Sequence, residues 1–221
     1  MPLLKKILSS LFPPCCTICS AEGSLFCPTC QNYLDFLYFT PQLIPLNKLL
    51  ENKKHLEIDI KILGFYTPPL STAIKSYKYQ GLFRLAPIFA ELLYNHLIFP
   101  ADIDIITAIP LHPKKKKQRG FDQTKLIIQE LSQKTNKPFL PLLIKTKHTQ
   151  NLASTKDQDT RNLLTENAFA LNKKHQQNIA RKHILLFDDV VTSGSTLAAC
   201  IQVLITENPR KITLCALAHE G

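Results

Sequence analysis

Several things are missing from this chain, and each absence narrows what it is. No apolar run reaches the length of about 20 residues that a membrane-crossing helix needs. The first residues, MPLLKKILSSLF, place lysines at positions 5 and 6 inside their apolar pattern. An export signal wants an unbroken apolar core followed by small residues, so export is not expected. Low-complexity tracts and internal repeats are absent, which argues against a disordered chain and against a repeat architecture. Aromatics make up only 8% of the chain and form no clear row for stacking bases.

What remains is the composition of a folded protein, 45% hydrophobic and 20% charged over 221 residues. That length carries one full α/β domain plus a small appendage. Leu4, Ile7, Leu8 and Leu11 fall on one helical face. They read as a short helix packing on its own protein, with no stable membrane insertion.

Negative charge is scarce in one region. Residues 1–60 hold five basic and five acidic residues, and residues 61–221 hold 22 and 12. The window 111–182 alone has 16 against five, so the net charge of +10 is concentrated there. A localised basic region suits an anionic partner, either phosphates or nucleic acid.

Seven cysteines are present, five of them between positions 15 and 30. An odd, clustered set argues for a cytoplasmic metal site rather than a disulfide scaffold. Cys16, Cys19, Cys27 and Cys30 form CxxC-x7-CxxC. Each CxxC turn faces two sulfurs toward one point, and two turns complete a closed tetrahedral Zn²⁺ site of structural type. Disulfides or an iron–sulfur cluster are the alternatives. Cys15 is a spare that could replace Cys16 at a poorer spacing. Cys200 and Cys215 sit in apolar segments and read as buried core thiols.

Three parts follow: a cysteine domain with an N-terminal helix over 1–40, a linker over 41–59, and an alternating domain over 60–221. Strands are expected at 60–66, 103–109, 183–187 and 212–218. Helices are expected at 71–79, 82–97 with Pro87 in the first turn, 121–133 and 196–206. Residues 111–119 read as a basic loop. The polar stretch 145–160 reads as a loop able to close over a ligand. This alternation implies a mostly parallel sheet covered on both faces.

The densest motif is ILLFDDVVTSGSTL over residues 184–197. An apolar strand runs into two carboxylates, Asp188 and Asp189. A small polar turn follows, Thr192, Ser193, Gly194, Ser195 and Thr196, and then an apolar helix. A helix N-terminus offers free N–H groups and a positive dipole end to a phosphate. Gly194 permits close backbone approach, hydroxyls add donors, and adjacent carboxylates can accept from a vicinal diol. Helix capping alone explains one or two of these residues, not the set.

Here the sequence resembles the type I phosphoribosyltransferases. The resemblance implies that Asp188 and Asp189 hold the ribose hydroxyls of phosphoribosyl pyrophosphate and that residues 192–196 wrap its 5-phosphate. Mg²⁺ would bridge ribose and pyrophosphate oxygens, and that ion needs no dedicated protein cage. Pro110, Leu111 and His112 would match the pyrophosphate loop. Arg119 could fork across two pyrophosphate oxygens. Lys114, Lys115, Lys116 and Lys117 could touch pyrophosphate or a nucleic-acid backbone.

Over nearly its whole length the chain is similar to the ComF family of competence-related, phosphoribosyltransferase-like proteins. The likeness rests on the cysteine cluster, the segment from Lys75 through Lys78 to Gly81, and the Ile-Pro-Leu-His…Arg-Gly-Phe block. The Thr149-Gln150…Arg161-Asn162 block and the DDVVTSGST loop complete it. Lys78 is thereby expected at the ligand. The family usually carries Asn after Arg-Gly-Phe, where this chain has Asp122. A carboxylate there would weaken anion binding unless Mg²⁺ or Arg119 compensates.

The resemblance implies a type I phosphoribosyltransferase-like α/β fold with a small zinc-binding domain, acting in DNA uptake and natural transformation with single-stranded DNA. The alternative is an active phosphoribosyltransferase on an unidentified acceptor base. Only 25 residues follow Thr196, so an acceptor hood would have to come from residues 1–60. A weaker reading is a zinc-dependent scaffold for other DNA-uptake proteins.

Overall fold

In a computed structural model of the chain, the described residues are 13–34, 36, 56–146 and 168–221. The expected N-terminal helix, most of the linker, most of the polar loop and the Thr149…Asn162 block lie outside them.

Four strands form one parallel sheet in the order β1-β6-β5-β2: β1 Glu57–Phe65, β2 Ile105–Ala108, β5 His183–Val191 and β6 Lys211–His219. Phe187 of β5 lies beside Ala108 of β2 on one side and Cys215 of β6 on the other. Buried apolar runs such as residues 184–187 are what a parallel strand covered on both faces requires. The sequence reading located all four of these strands. It began β1 three residues late and ended β5 four residues early.

Alternation along the strands divides the core into two layers. Leu185 and Phe187, with Ile106, Ala108, Cys215 and Leu217, face one apolar cluster. Against that face pack α2 Leu70–Tyr79, α3 Ala86–His96 and α5 Gln123–Thr135. Ile184 and Leu186, with Ile105, Ile212 and Leu214, face the other cluster, covered by α6 Ser195–Leu204. Also on that side is a two-stranded antiparallel sheet, β3 Leu143–Lys145 and β4 Phe169–Leu171, which sequence reading did not anticipate.

The cysteine segment carries the short helix α1 Pro28–Gln31 and shares the first cluster. Phe26 is fully buried there with Leu63, Ile74 and Phe89. Phe36 bridges to Gly64 of β1 and stacks on His96 with ring centroids 4.3 Å apart.

Residues 111–119 are not the loop the lysine run suggested. Pro113–Arg119 is a helix, α4. His112 caps it, its Nδ1 accepting from the Lys114 N–H at 3.2 Å. Pro113 occupies the first turn and Gly120, at φ +78°, closes the C-terminus. Pro before and Gly after is the usual punctuation of a helix, and it prevails over the missing apolar period.

The amino ends of the strands are tied by a polar network. Buried His183 contacts Asp102 at 3.0 Å and Thr213 at 2.8 Å, and Arg210 donates to Asp102 at 2.9 Å. The opposite, carboxyl ends are where open α/β sheets hold ligands.

Candidate functional site

At that end β5 runs two residues past the acidic pair before turning. Because the strand continues, period-2 alternation sends the two carboxylates to different layers. Asp189, only 6% exposed, follows Leu185 and Phe187 toward α2 and α5. There it accepts from Lys78 Nζ at 2.9 Å and from Gln123 Nε2 at 3.1 Å. Asp188 follows Ile184 and Leu186 toward α6, and its Oδ1 accepts from the Asp189 N–H at 2.8 Å.

These surroundings set the protonation states. Burial, then the neighbouring Asp189 carboxylate, push Asp188 up to about 7, against the pull of the Asp189 N–H, Lys78 and Lys145. For Lys78, burial favours loss of the proton. The Asp189 carboxylate outweighs it and holds the ammonium above its ordinary value. Lys145, at the end of β3, is pushed down by burial, which Cys200 and Asp188 oppose.

The two elements that position Lys78 and Gln123 are locked together. Tyr77, fully buried, donates its hydroxyl to the Gln123 carbonyl at 2.8 Å. Asp122 caps α5, its Oδ1 accepting from the Lys125 N–H and from Thr124 Oγ1, both at 3.2 Å. Asp and Asn serve equally well as caps, so at this position the departure from Asn preserves the helix start. Gln123, the first residue of that helix, leaves its Oε1 buried with no hydrogen-bond partner among the described residues.

The phosphate-loop residues connect β5 to α6. Gly194 adopts φ +81°, a left-handed conformation that favours glycine, and its carbonyl starts the helix. Ser193 and Ser195 hydroxyls lie 3.0 Å apart. Thr192 is exposed, and Thr196 is half-buried in the first turn. The N-cap of α6 is Gly194, which has no side chain to bond the first turn, and a helix N-terminus suits an anion through its N–H groups and dipole.

Pro110, Leu111 and His112 leave the end of β2 and lead into α4. On α4 the basic residues divide. Lys115 and Arg119, four apart on one helical face, line a cavity of about 220 Å³ with Lys78, Tyr79, Gly81 and Gln118. Lys114, Lys116 and Lys117 are exposed and do not line it. Burial, and then the fields of Lys145, Arg119 and Lys78, push Lys115 below its ordinary value. Cations that repel one another around one open cavity form a site suited to a polyanion.

Sequence reasoning missed Tyr79, Gln123 and Lys145. Lys145 ends an apolar run and was legible in principle. Gln123 carries no signal of its own.

The cysteine cluster forms as the spacing predicts. The sulfurs of Cys16, Cys19, Cys27 and Cys30 lie within 4.8 Å of one another. Cys15 points away, toward the Pro13 carbonyl at 3.6 Å, so Cys16 is the fourth member. Burial opposes ionisation of Cys16, but N–H groups of Cys27, Cys19 and Ile18 bring it down to about 6. Four sulfurs at this separation are a donor set that could hold a metal ion.

Residues 119–221 match the family described as the phosphoribosyl transferase domain. Together with the mostly parallel sheet and its helices, this defines the class: a phosphoribosyltransferase-type α/β protein. A Haemophilus influenzae protein named competence protein F is 32% identical over 168 residues, covering 72% of this chain and 71% of the relative. The chain belongs to the competence protein F, or ComF, family. The DNA utilization protein YhgH of Escherichia coli is 26% identical over 216 residues, 92% of this chain and 89% of its own. Among solved structures, the allosteric regulatory enzyme of purine biosynthesis aligns with 61% of this chain and 25% of its own. The TM-score is 0.41 at 13% identity. Among the described residues, no helix is long and apolar enough to cross a membrane.

Proposed function

We propose that this chain binds phosphoribosyl pyrophosphate in the cytoplasm and acts in DNA uptake and natural transformation, handling single-stranded DNA on its basic surface. The observation that carries the reading is the convergence of Lys78, Lys115, Arg119 and Lys145 on an acidic pair at the carboxyl ends of parallel strands. The loop at Gly194 lies beside it.

In this reading the α6 N-terminus and the hydroxyls of residues 192–196 take the 5-phosphate. Pro110, Leu111 and His112 take the pyrophosphate with Lys115 and Arg119. Asp188, Asp189 and the buried Gln123 Oε1 accept from the ribose hydroxyls. Mg²⁺ fits as a partner, because a carboxylate pushed up to about 7 gains from an added cation. It would be held by Asp188 and Asp189 together with ligand oxygens, and it would screen the pyrophosphate charge. Zn²⁺ is the ion that four thiolates at the observed separation suit, and its role is to hold the cysteine segment folded. The names of the relatives, competence protein F and DNA utilization protein, support the role in DNA uptake.

Calorimetric titration of phosphoribosyl pyrophosphate with Mg²⁺ tests the pocket. Wild type binds, and Asp188→Asn with Asp189→Asn does not. Absence of binding by wild type refutes the reading. Release of pyrophosphate with any base in a panel would move the protein to the transferases.

A further inference from the structure

The basic cavity has an aromatic floor that the linear sequence conceals. Tyr79 is 72% exposed, an unusual position for a large ring beside three buried or half-buried cations. The Arg119 guanidinium lies over it, 5.3 Å from the ring centroid. At 72% exposure the residue still offers most of its surface to solvent with that cation over the ring. Gly81, at φ +68°, turns the chain immediately afterwards, and Phe83 follows with 58% exposure. Burial would stabilise both rings, so the presentation of Tyr79 to solvent beside Lys78, Lys115 and Arg119, with Phe83 exposed four residues further on, calls for an occupant that is flat on one side and anionic on the other.

We propose that Tyr79 is a stacking platform for a base of single-stranded DNA, with Lys115 and Arg119 taking the adjoining phosphate and Phe83 receiving a neighbouring base. This rests on the single-strand reading above and deepens it by naming where a strand is gripped. Aromatic–base stacking tolerates any base, because every base has a π-face. A strand held this way is gripped without regard to sequence. The cation on the far face of Tyr79 fixes the ring before a base arrives.

The chain has no tryptophan, so Tyr79→Trp places a single indole at the platform. The probes are oligo-dT, an abasic oligonucleotide of the same length, and thymidine monophosphate. The readouts are anisotropy of labelled strands and fluorescence of the introduced indole. Tyr79→Trp should bind oligo-dT as wild type does, with quenching that the abasic strand does not produce. Tyr79→Ala should bind oligo-dT about fivefold to a hundredfold more weakly, close to the wild-type affinity for the abasic strand. Because the ring is exposed, circular dichroism and melting of the variant should match wild type.

Unchanged oligo-dT binding by Tyr79→Ala overturns this inference and leaves the single-strand reading standing. So does equal wild-type affinity for abasic and base-bearing strands. Quenching by the mononucleotide at the same concentration as by the strand also overturns it, in favour of a mononucleotide pocket. Failure of wild type to bind any strand at low salt overturns the single-strand reading itself.

Discussion

The sharpest test of the electrostatic account is Asp188→Asn. In the unfolded chain this carboxyl ionises near 3.8, and in the fold it is pushed up to about 7. Folded protein therefore holds a proton on Asp188 in a window where unfolded chain does not. A group raised in this way contributes its full stability below the unfolded value, and that contribution is lost as pH climbs through the folded value. Above pH 7 the ligand-free fold carries a charge that burial and Asp189 disfavour. The shift corresponds to about 4 kcal/mol, and water reaching the half-buried side chain reduces the expected figure to about 2 kcal/mol. The amide removes that cost. Melting followed by circular dichroism, with metal held constant, should place Asp188→Asn about 5 °C above wild type at pH 8. The gain should shrink steadily from pH 7 to pH 5. A gain independent of pH, or a variant less stable than wild type at pH 8, would refute the reasoning. The same variant should lose phosphoribosyl pyrophosphate binding, the expected exchange between stability and function at a charged site.

Other expectations follow from the same contacts. Lys78→Met leaves Asp189 buried without its cation and should cost about 3–5 kcal/mol in urea unfolding, largely recovered by adding Asp189→Asn. Cys27→Ser should lower metal content measured by mass spectrometry. It should also lower the melting temperature of the whole protein, because Cys27 and Phe26 share the cluster of α2 and α3. Neutralising Lys115 and Arg119 together should weaken phosphoribosyl pyrophosphate binding. It should also flatten the slope of log affinity against log salt for single-stranded DNA by about 1.4.

Much of the fold was legible because its parallel strands are apolar runs bounded by punctuation, as at 183–191 and 211–219. Placing the end of β5 at Phe187 had a larger effect than its four residues suggest. It cast Asp188 and Asp189 as neighbours in a loop, whereas a strand that continues to Val191 points them to opposite layers. The helix at Pro113–Arg119 was hidden by a lysine run without apolar period, although His112, Pro113 and Gly120 spelled its ends. β3 and β4 have three residues each, too short for alternation to register, and their pairing spans more than twenty residues of chain. The Tyr79 platform was invisible for a different reason. Tyr79 ends α2 while Lys115 and Arg119 lie on α4, and only tertiary packing brings ring and cations to one cavity.

The Lys78–Asp189 pair has a consequence for how the two ends of the site communicate. Asp188 adjoins Asp189 along the chain, a 2.9 Å ion pair joins Asp189 to Lys78, and Lys78 adjoins Tyr79. One salt bridge and two peptide units thus wire the sugar side to the aromatic side, crossing the sheet through its thickness. A ligand that draws Asp189 away frees a lysine next to the base platform, and a strand that captures the lysine frees a carboxylate beside the sugar. Both occupants also claim Lys115 and Arg119, so their net coupling sets competition for those cations against this release, and by linkage it is equal in both directions.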